Sequence, residues 1–120
     1  MVQVSVIGTT AEGRDILGLS ISSGGNGQRP AVFIEAGIHA REWIAPSVAL
    51  YLLNQLVENY DSNKDLVDSL DWFIVPVTNP DGYEYTHTNV SMGRRGRLRP
   101  SANFQGGDKS KKKIIFLFGT

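Results

Sequence analysis

Hydrophobic and polar residues alternate from the start of the chain. Val2, Val4 and Val6 are separated by Gln3 and Ser5, the period of a β-strand with one apolar face. Thr9-Thr10-Ala11-Glu12-Gly13 reads as a turn, and Leu17, Leu19 and Ile21 then alternate with Gly18 and Ser20. This pattern predicts an antiparallel hairpin. Residues 22–30 are rich in glycine and serine and read as a surface loop. Ala31-Val32-Phe33-Ile34-Glu35-Ala36 follows as a nearly unbroken apolar run. Such a run predicts a central parallel strand buried on both faces. Glu35 is read as an edge or rim residue without a role.

The period changes after Trp43. Ala45, Val48, Ala49, Leu52, Leu53 and Leu56 share one helical stripe. Pro46 falls in the first turn, where a missing N–H costs nothing. Glu42 stands at the predicted helix start, where the dipole favours negative charge. The helix should close near Asn59, and residues 61–70 read as a polar connection with a short helical turn at Leu66-Val67. Residues 72–77 return to strand, with Pro76 near its end. Asn79-Pro80-Asp81-Gly82 is a turn signal. Strand, helix, strand in this order predicts a right-handed crossover between parallel strands. The fold class is therefore α/β, with a partial mixed sheet and flanking helices.

Composition narrows the function. A length of 120 residues allows one domain or a piece of a larger one. The 41% hydrophobic content supports a core. Twelve Lys and Arg balance twelve Asp and Glu, which argues against nucleic acid or an anionic membrane as partner. Without cysteine there is neither a disulfide framework nor a thiolate metal site. No signal peptide and no membrane-spanning apolar run is read in this sequence. The missing glycine fingerprint after the first strand weighs against a nucleotide-binding α/β domain.

The candidate chemistry lies where the third strand meets the helix, in Gly37-Ile38-His39-Ala40-Arg41-Glu42-Trp43. A neutral imidazole and a carboxylate suit Zn²⁺, and strand ends in open α/β sheets are where ligands bind. Arg41, between them, offers a guanidinium to a substrate carbonyl or carboxylate. Taken by spacing alone, His39 and Glu42 read more often as a surface pair than as metal ligands, and Arg41 as an exposed arginine at a helix start.

Residues 37–44 resemble the zinc-ligand motif of the pancreatic-type metallocarboxypeptidases, the A and B family. Pro76-Val77-Thr78-Asn79-Pro80-Asp81-Gly82-Tyr83 resembles a second motif of that family at the expected distance. Residues 5–21, with Glu12-Gly13-Arg14, are similar to its first hairpin. The resemblance covers residues 1–89. It implies the first part of a zinc carboxypeptidase fold, present as an incomplete chain. The implied function is zinc-dependent hydrolysis of C-terminal peptide bonds, with peptide or protein C-termini as substrates. His39 and Glu42 would be two ligands of one zinc ion, Arg41 would touch the substrate backbone, and Trp43 would pack as core behind the site. His87 matches a Thr-His segment that does not bind metal in the family, so it stays out of the ligand set. The resemblance also implies a monomeric, extracellular protein.

Departures from the family pattern begin at residue 90. The expected Arg-x-Trp-Arg-Lys run is replaced by Val90-Ser91-Met92-Gly93-Arg94-Arg95-Gly96-Arg97-Leu98, so no oxyanion arginine is assigned. The Asn-Arg clamp, the third metal ligand, the specificity tyrosine and the general-base glutamate find no match, so no catalytic residue is assigned. Residues 90–120 are therefore read as a divergent basic tail, not native to the fold. The alternative to an enzyme is an inactive carboxypeptidase-like fragment or a peptide-binding module.

Overall fold

The computed structural model describes residues 1–25 and 29–89, together with the backbone of Lys113–Phe118. Five strands, three α-helices and one 3₁₀ turn organise the described residues. Strand β1 (Val2–Thr9) and strand β2 (Asp15–Ile21) form the predicted hairpin, pairing from Val2 opposite Ile21 to Thr9 opposite Asp15. The register shifts between Val6 and Gly8, which bends the strand at the hairpin end. Strand β3 (Ala31–Ala36) leads to helix α1 (Ile44–Val57), and strand β4 (Asp71–Val75) returns parallel to β3. The sheet order is β1-β2-β4-β3-β5, with β2 antiparallel to β4. Strand β5 (Lys113–Phe118) runs parallel to β3. Part of the basic tail thus stands beside β3, while residues 90–112 and 119–120 lie outside the described residues.

One face of the sheet makes the core. Ile21, Val32, Ile34, Ala36 and Ile74 pack against Ala45, Ala49, Leu53 and Leu56 of α1. The helical stripe therefore does what its spacing predicts, with Val48 and Leu52 half-buried at its margins. Burial of β3 on both faces does not hold. Val32, Ile34 and Ala36 are buried under α1, whereas Phe33 and Glu35 on the other face are only half-buried. That face carries Phe33 stacked on Phe73 at 5.5 Å. Glu35 is not at a rim in the sheet: it lies in an interior strand, opposite Val75.

The short helical turn expected at Leu66-Val67 is present within a longer helix, whereas the segment after β4 differs from the sequence reading. The polar connection contains a 3₁₀ turn at Tyr60–Ser62 and a short helix α2 (Lys64–Ser69), which buries Val67. The Asn79-Pro80-Asp81-Gly82 signal opens helix α3 (Pro80–Thr88) instead of a reverse turn. The Asn79 side chain accepts a hydrogen bond from the Gly82 N–H at 3.0 Å, and Pro80 occupies the first turn. These are the preferences of an N-cap and of the helical position that follows it.

Candidate metal centre

The site is built at the C-terminal ends of β3 and β4, where two strand-to-helix corners lie against each other. Parallel pairing between the strands ends at Glu35 opposite Val75. Beyond it the β4 side skips Pro76 and Val77 and rejoins at Thr78. The Thr78 N–H and hydroxyl both donate to the Ala36 carbonyl, at 2.9 and 3.0 Å. The Asn79 N–H donates to the Gly37 carbonyl at 3.2 Å, and Asn79 Nδ2 donates to the Ile38 carbonyl at 3.4 Å. Three successive carbonyls leading up to His39 are thus held from the neighbouring corner.

Gly37 makes this approach possible. Its φ is +71°, a left-handed conformation that L side chains disfavour. A Cβ there would lie 3.2 Å from Pro46 Cγ and from Val77 Cα. Further along, α3 presses against the corner so closely that a Cβ on Gly82 would come within 2.9 Å of Ala40 Cβ.

The chain between β3 and α1 turns tightly. The Glu42 N–H donates to the His39 carbonyl at 3.1 Å, and the Ala45 N–H donates to the Glu42 carbonyl at 3.1 Å. This turn brings His39 and Glu42 to the same side, with Nδ1 of His39 3.4 Å from Oε2 of Glu42. Both side chains stay partly accessible, at 34% and 22%. Glu42 does not sit in the first turn of α1, as its sequence position suggests. Trp43 is the N-cap residue, so Glu42 precedes the helix and its carboxylate turns toward His39.

The separation suits a shared ion. Two donors each about 2.0–2.1 Å from a tetrahedral zinc lie about 3.3 Å apart. An imidazole nitrogen and a carboxylate oxygen are both acceptable donors to that metal. No third histidine, cysteine or acidic side chain joins them among the described residues. Arg41 is exposed and has no ion-pair partner among the described residues.

Trp43 is not core. It is 43% exposed and leans on α3, where its indole N–H donates to Thr86 Oγ1 at 3.0 Å. His87 stacks on the Trp43 ring at 4.3 Å, with Tyr83 edge-on to His87 at 4.6 Å. The second histidine of the chain is therefore an aromatic partner on the flank of the corner.

Sequence reasoning missed the support of α3. Asp81 in its first turn accepts from Thr10 Oγ1 at 2.6 Å, Arg14 Nη1 at 2.9 Å and the Glu12 N–H at 3.2 Å. Arg14 also pairs with Glu12 at 2.5 Å. The hairpin turn is thereby clamped to the helix that carries Asn79. The order Asn-Pro-Asp, an N-cap followed by proline and an acid, was the signal that could have located this helix.

Burial of the Asp81 carboxyl opposes its ionisation, but the Thr10 hydroxyl, the Arg14 guanidinium and the Glu12 amide outweigh it. They hold its pKa below the ordinary value of 3.8. A carboxyl lowered in the folded state contributes stability above its unfolded pKa and loses it as pH falls through the folded one. Acidification below about 3.8 should therefore destabilise the native chain more than Asp81→Asn, and their thermal midpoints should converge in acid. Asp68, lowered by Tyr60 and Lys64, titrates in both proteins and cancels in the comparison. Parallel melting curves across this range would show that Asp81 does not clamp the hairpin.

Comparison with known proteins shows which family the chain resembles. The sequence signature of the family described as zinc carboxypeptidase matches residues 1–113. Zinc carboxypeptidase A 1 of Drosophila melanogaster is 45% identical across 87% of this chain, which spans 25% of that protein. Carboxypeptidase B of Rattus norvegicus is 40% identical across 89% of the chain, spanning 29% of the relative. The crystal structure of carboxypeptidase A from Helicoverpa armigera superposes with a TM-score of 0.70 at 37% identity, covering 73% of this chain and 22% of that one. The chain thus spans between a quarter and a third of the length of these two curated relatives.

Proposed function

Because the chain belongs to the zinc carboxypeptidase family, we propose that its β3–α1 corner is part of a site for zinc-dependent hydrolysis of C-terminal peptide bonds, with His39 and Glu42 as two protein ligands. The observation that supports this reading is the 3.4 Å approach of His39 Nδ1 to Glu42 Oε2 at a strand end. The chemistry supplied by zinc, when bound, is polarisation of the scissile carbonyl and a bound water whose pKa falls to about 7. His39 and Glu42 give one nitrogen and one oxygen donor. Arg41, without an ion-pair partner among the described residues, is available to orient the substrate backbone by charge-assisted hydrogen bonds. No residue of the chain is assigned as the general base that takes the proton from water. One zinc ion, peptide or protein C-termini as substrates, a monomeric state and an extracellular setting complete the proposal.

A catalytic zinc of this type is held by three protein ligands and a water, and two are assigned here. The 120-residue chain by itself is therefore expected neither to retain zinc through a desalting column nor to release C-terminal residues from peptides. A longer form that adds a histidine ligand and a glutamate base should do both, and a chelator should stop it. Chelator-sensitive turnover by the 120-residue chain, with about one zinc retained, would mean that a ligand and a base remain unassigned within it. A longer form that binds peptides but never cleaves them would favour the binding-module reading.

A further inference from the structure

His39 is flanked on both sides by the first turn of α3. Its preceding residue, Ile38, offers a carbonyl to Asn79 Nδ2 at 3.4 Å, and its following residue, Ala40, lies under Gly82 with no room for a Cβ. Asn79 serves two elements with the two ends of one amide. Oδ1 accepts from the Gly82 N–H at 3.0 Å, which fixes the amide orientation and leaves Nδ2 facing Ile38. Serine, aspartate and asparagine cap helices about equally well. Capping alone therefore does not call for asparagine; only its amide adds the donor to Ile38.

We propose that Asn79 is a positioning residue for His39: its amide holds the backbone ahead of the imidazole so that Nδ1 faces the Glu42 carboxylate. The role in metal binding rests on the zinc reading of His39 and Glu42, whereas the positioning itself does not. A hydrogen bond of 3.4 Å is long, and its effect comes from company. It is the last of four bonds from Thr78 and Asn79 onto the carbonyls of Ala36, Gly37 and Ile38. The three before it set the strand end, and the fourth sets the peptide plane that enters His39. Partners one step removed from a metal typically change its affinity by about 10–100-fold.

The test uses the 120-residue chain, whose two histidines, His39 and His87, are to be followed by their ring signals in an NMR spectrum. Asn79→Asp and Asn79→Ser both keep a capping oxygen and lose the amide donor, and only the first adds charge. Two readouts apply: the nuclear Overhauser effect between the His39 ring and the Glu42 side chain without metal, and the midpoint of a zinc chloride titration followed at His39. Both variants should lose the first and weaken the second about tenfold, with α3 signals intact and the His87 ring as internal reference. Wild-type values of both readouts in either variant would overturn the proposal. Should zinc leave His39 unmoved in the wild type, the metal reading fails, and the metal-free readout alone decides: its loss sustains the positioning role and its retention ends it. Should α3 unfold in both variants, Gly82→Ala decides instead. Its methyl would meet Asn79 Nδ2 at 2.5 Å and Ala40 Cβ at 2.9 Å, displacing the amide without removing its donor or its capping oxygen, so unchanged readouts there would refute the seating of His39 on α3.

Discussion

In a form of the protein carrying the complete family domain, His39→Ala is expected to lower release of C-terminal residues about a thousandfold or more. On the proposed assignment, losing one protein ligand would open the coordination sphere and weaken retention of the ion. The ion's stabilisation of developing charge is worth several kcal/mol, and about 4 kcal/mol corresponds to three orders of magnitude in rate. Glu42→Gln should fall in the same direction, since the amide keeps an oxygen but loses the charge. His87→Ala is the control. It removes a ring stacked on Trp43 at 4.3 Å, a contact worth about 0.5–1.5 kcal/mol, and should leave bound zinc in place. Metal content by atomic emission, measured beside activity, separates the two effects. If His87→Ala stripped zinc as completely as His39→Ala, the ligand assignment would be wrong.

The second large effect is expected in stability. Gly37→Ala should lower the thermal midpoint by about 6–30 °C. A non-glycine residue in the left-handed region costs about 1–2 kcal/mol. Crowding in a packed site adds about 1–3 kcal/mol, and here the new methyl would meet Pro46 and the backbone of Val77 at 3.2 Å. For a domain of this size each kcal/mol shifts the midpoint by about 3–6 °C. Gly13→Ala provides the comparison. Gly13 also has a positive φ, +81°, but nothing lies within 4 Å of the added Cβ. It should therefore show the backbone cost alone. Equal losses in the two variants would mean that the tight seam between the corners contributes nothing.

Periodicity made most of this fold legible. The hairpin, β3, α1 and β4 each carry their pattern over enough residues for the period to be read, and they pair as that pattern dictates; α1 also packs by its stripe, whereas the alternating Val2, Val4, Val6 and Leu17 of the hairpin lie exposed. Helix α3 was hidden for a physical reason. It has no buried residue, so it has no apolar stripe, and its cap and proline spell a reverse turn equally well. Helix α2 has six residues, under two turns, too short to establish a period. The apolar character of Phe33 suggested burial on both faces of β3, yet the stripe of α1 covers only one. At the site, the spacing of His39 and Glu42 was enough to suggest a pair. The support for that pair was not visible, because Thr78 and Asn79 reach it across the seam between β3 and β4. Trp43 was misplaced for a similar reason: a large apolar residue next to a helix start reads as core, but its N–H finds a hydroxyl on α3 at the surface.

The clamp between the hairpin turn and Asp81 also orders events in time. Its partners are separated by 71 residues for Thr10 and 67 for Arg14. The hairpin needs only neighbouring residues and can close within about 1–10 μs once it leaves the ribosome. At about 5–20 residues per second of synthesis, Asp81 follows Thr10 by several seconds. His39 and Glu42 are made within that interval, before the Thr78 and Asn79 bonds that support their corner can form. Thr10 and Arg14 then act as a waiting receptor, and the nascent corner is committed to its final shape only when the Asn-Pro-Asp segment arrives.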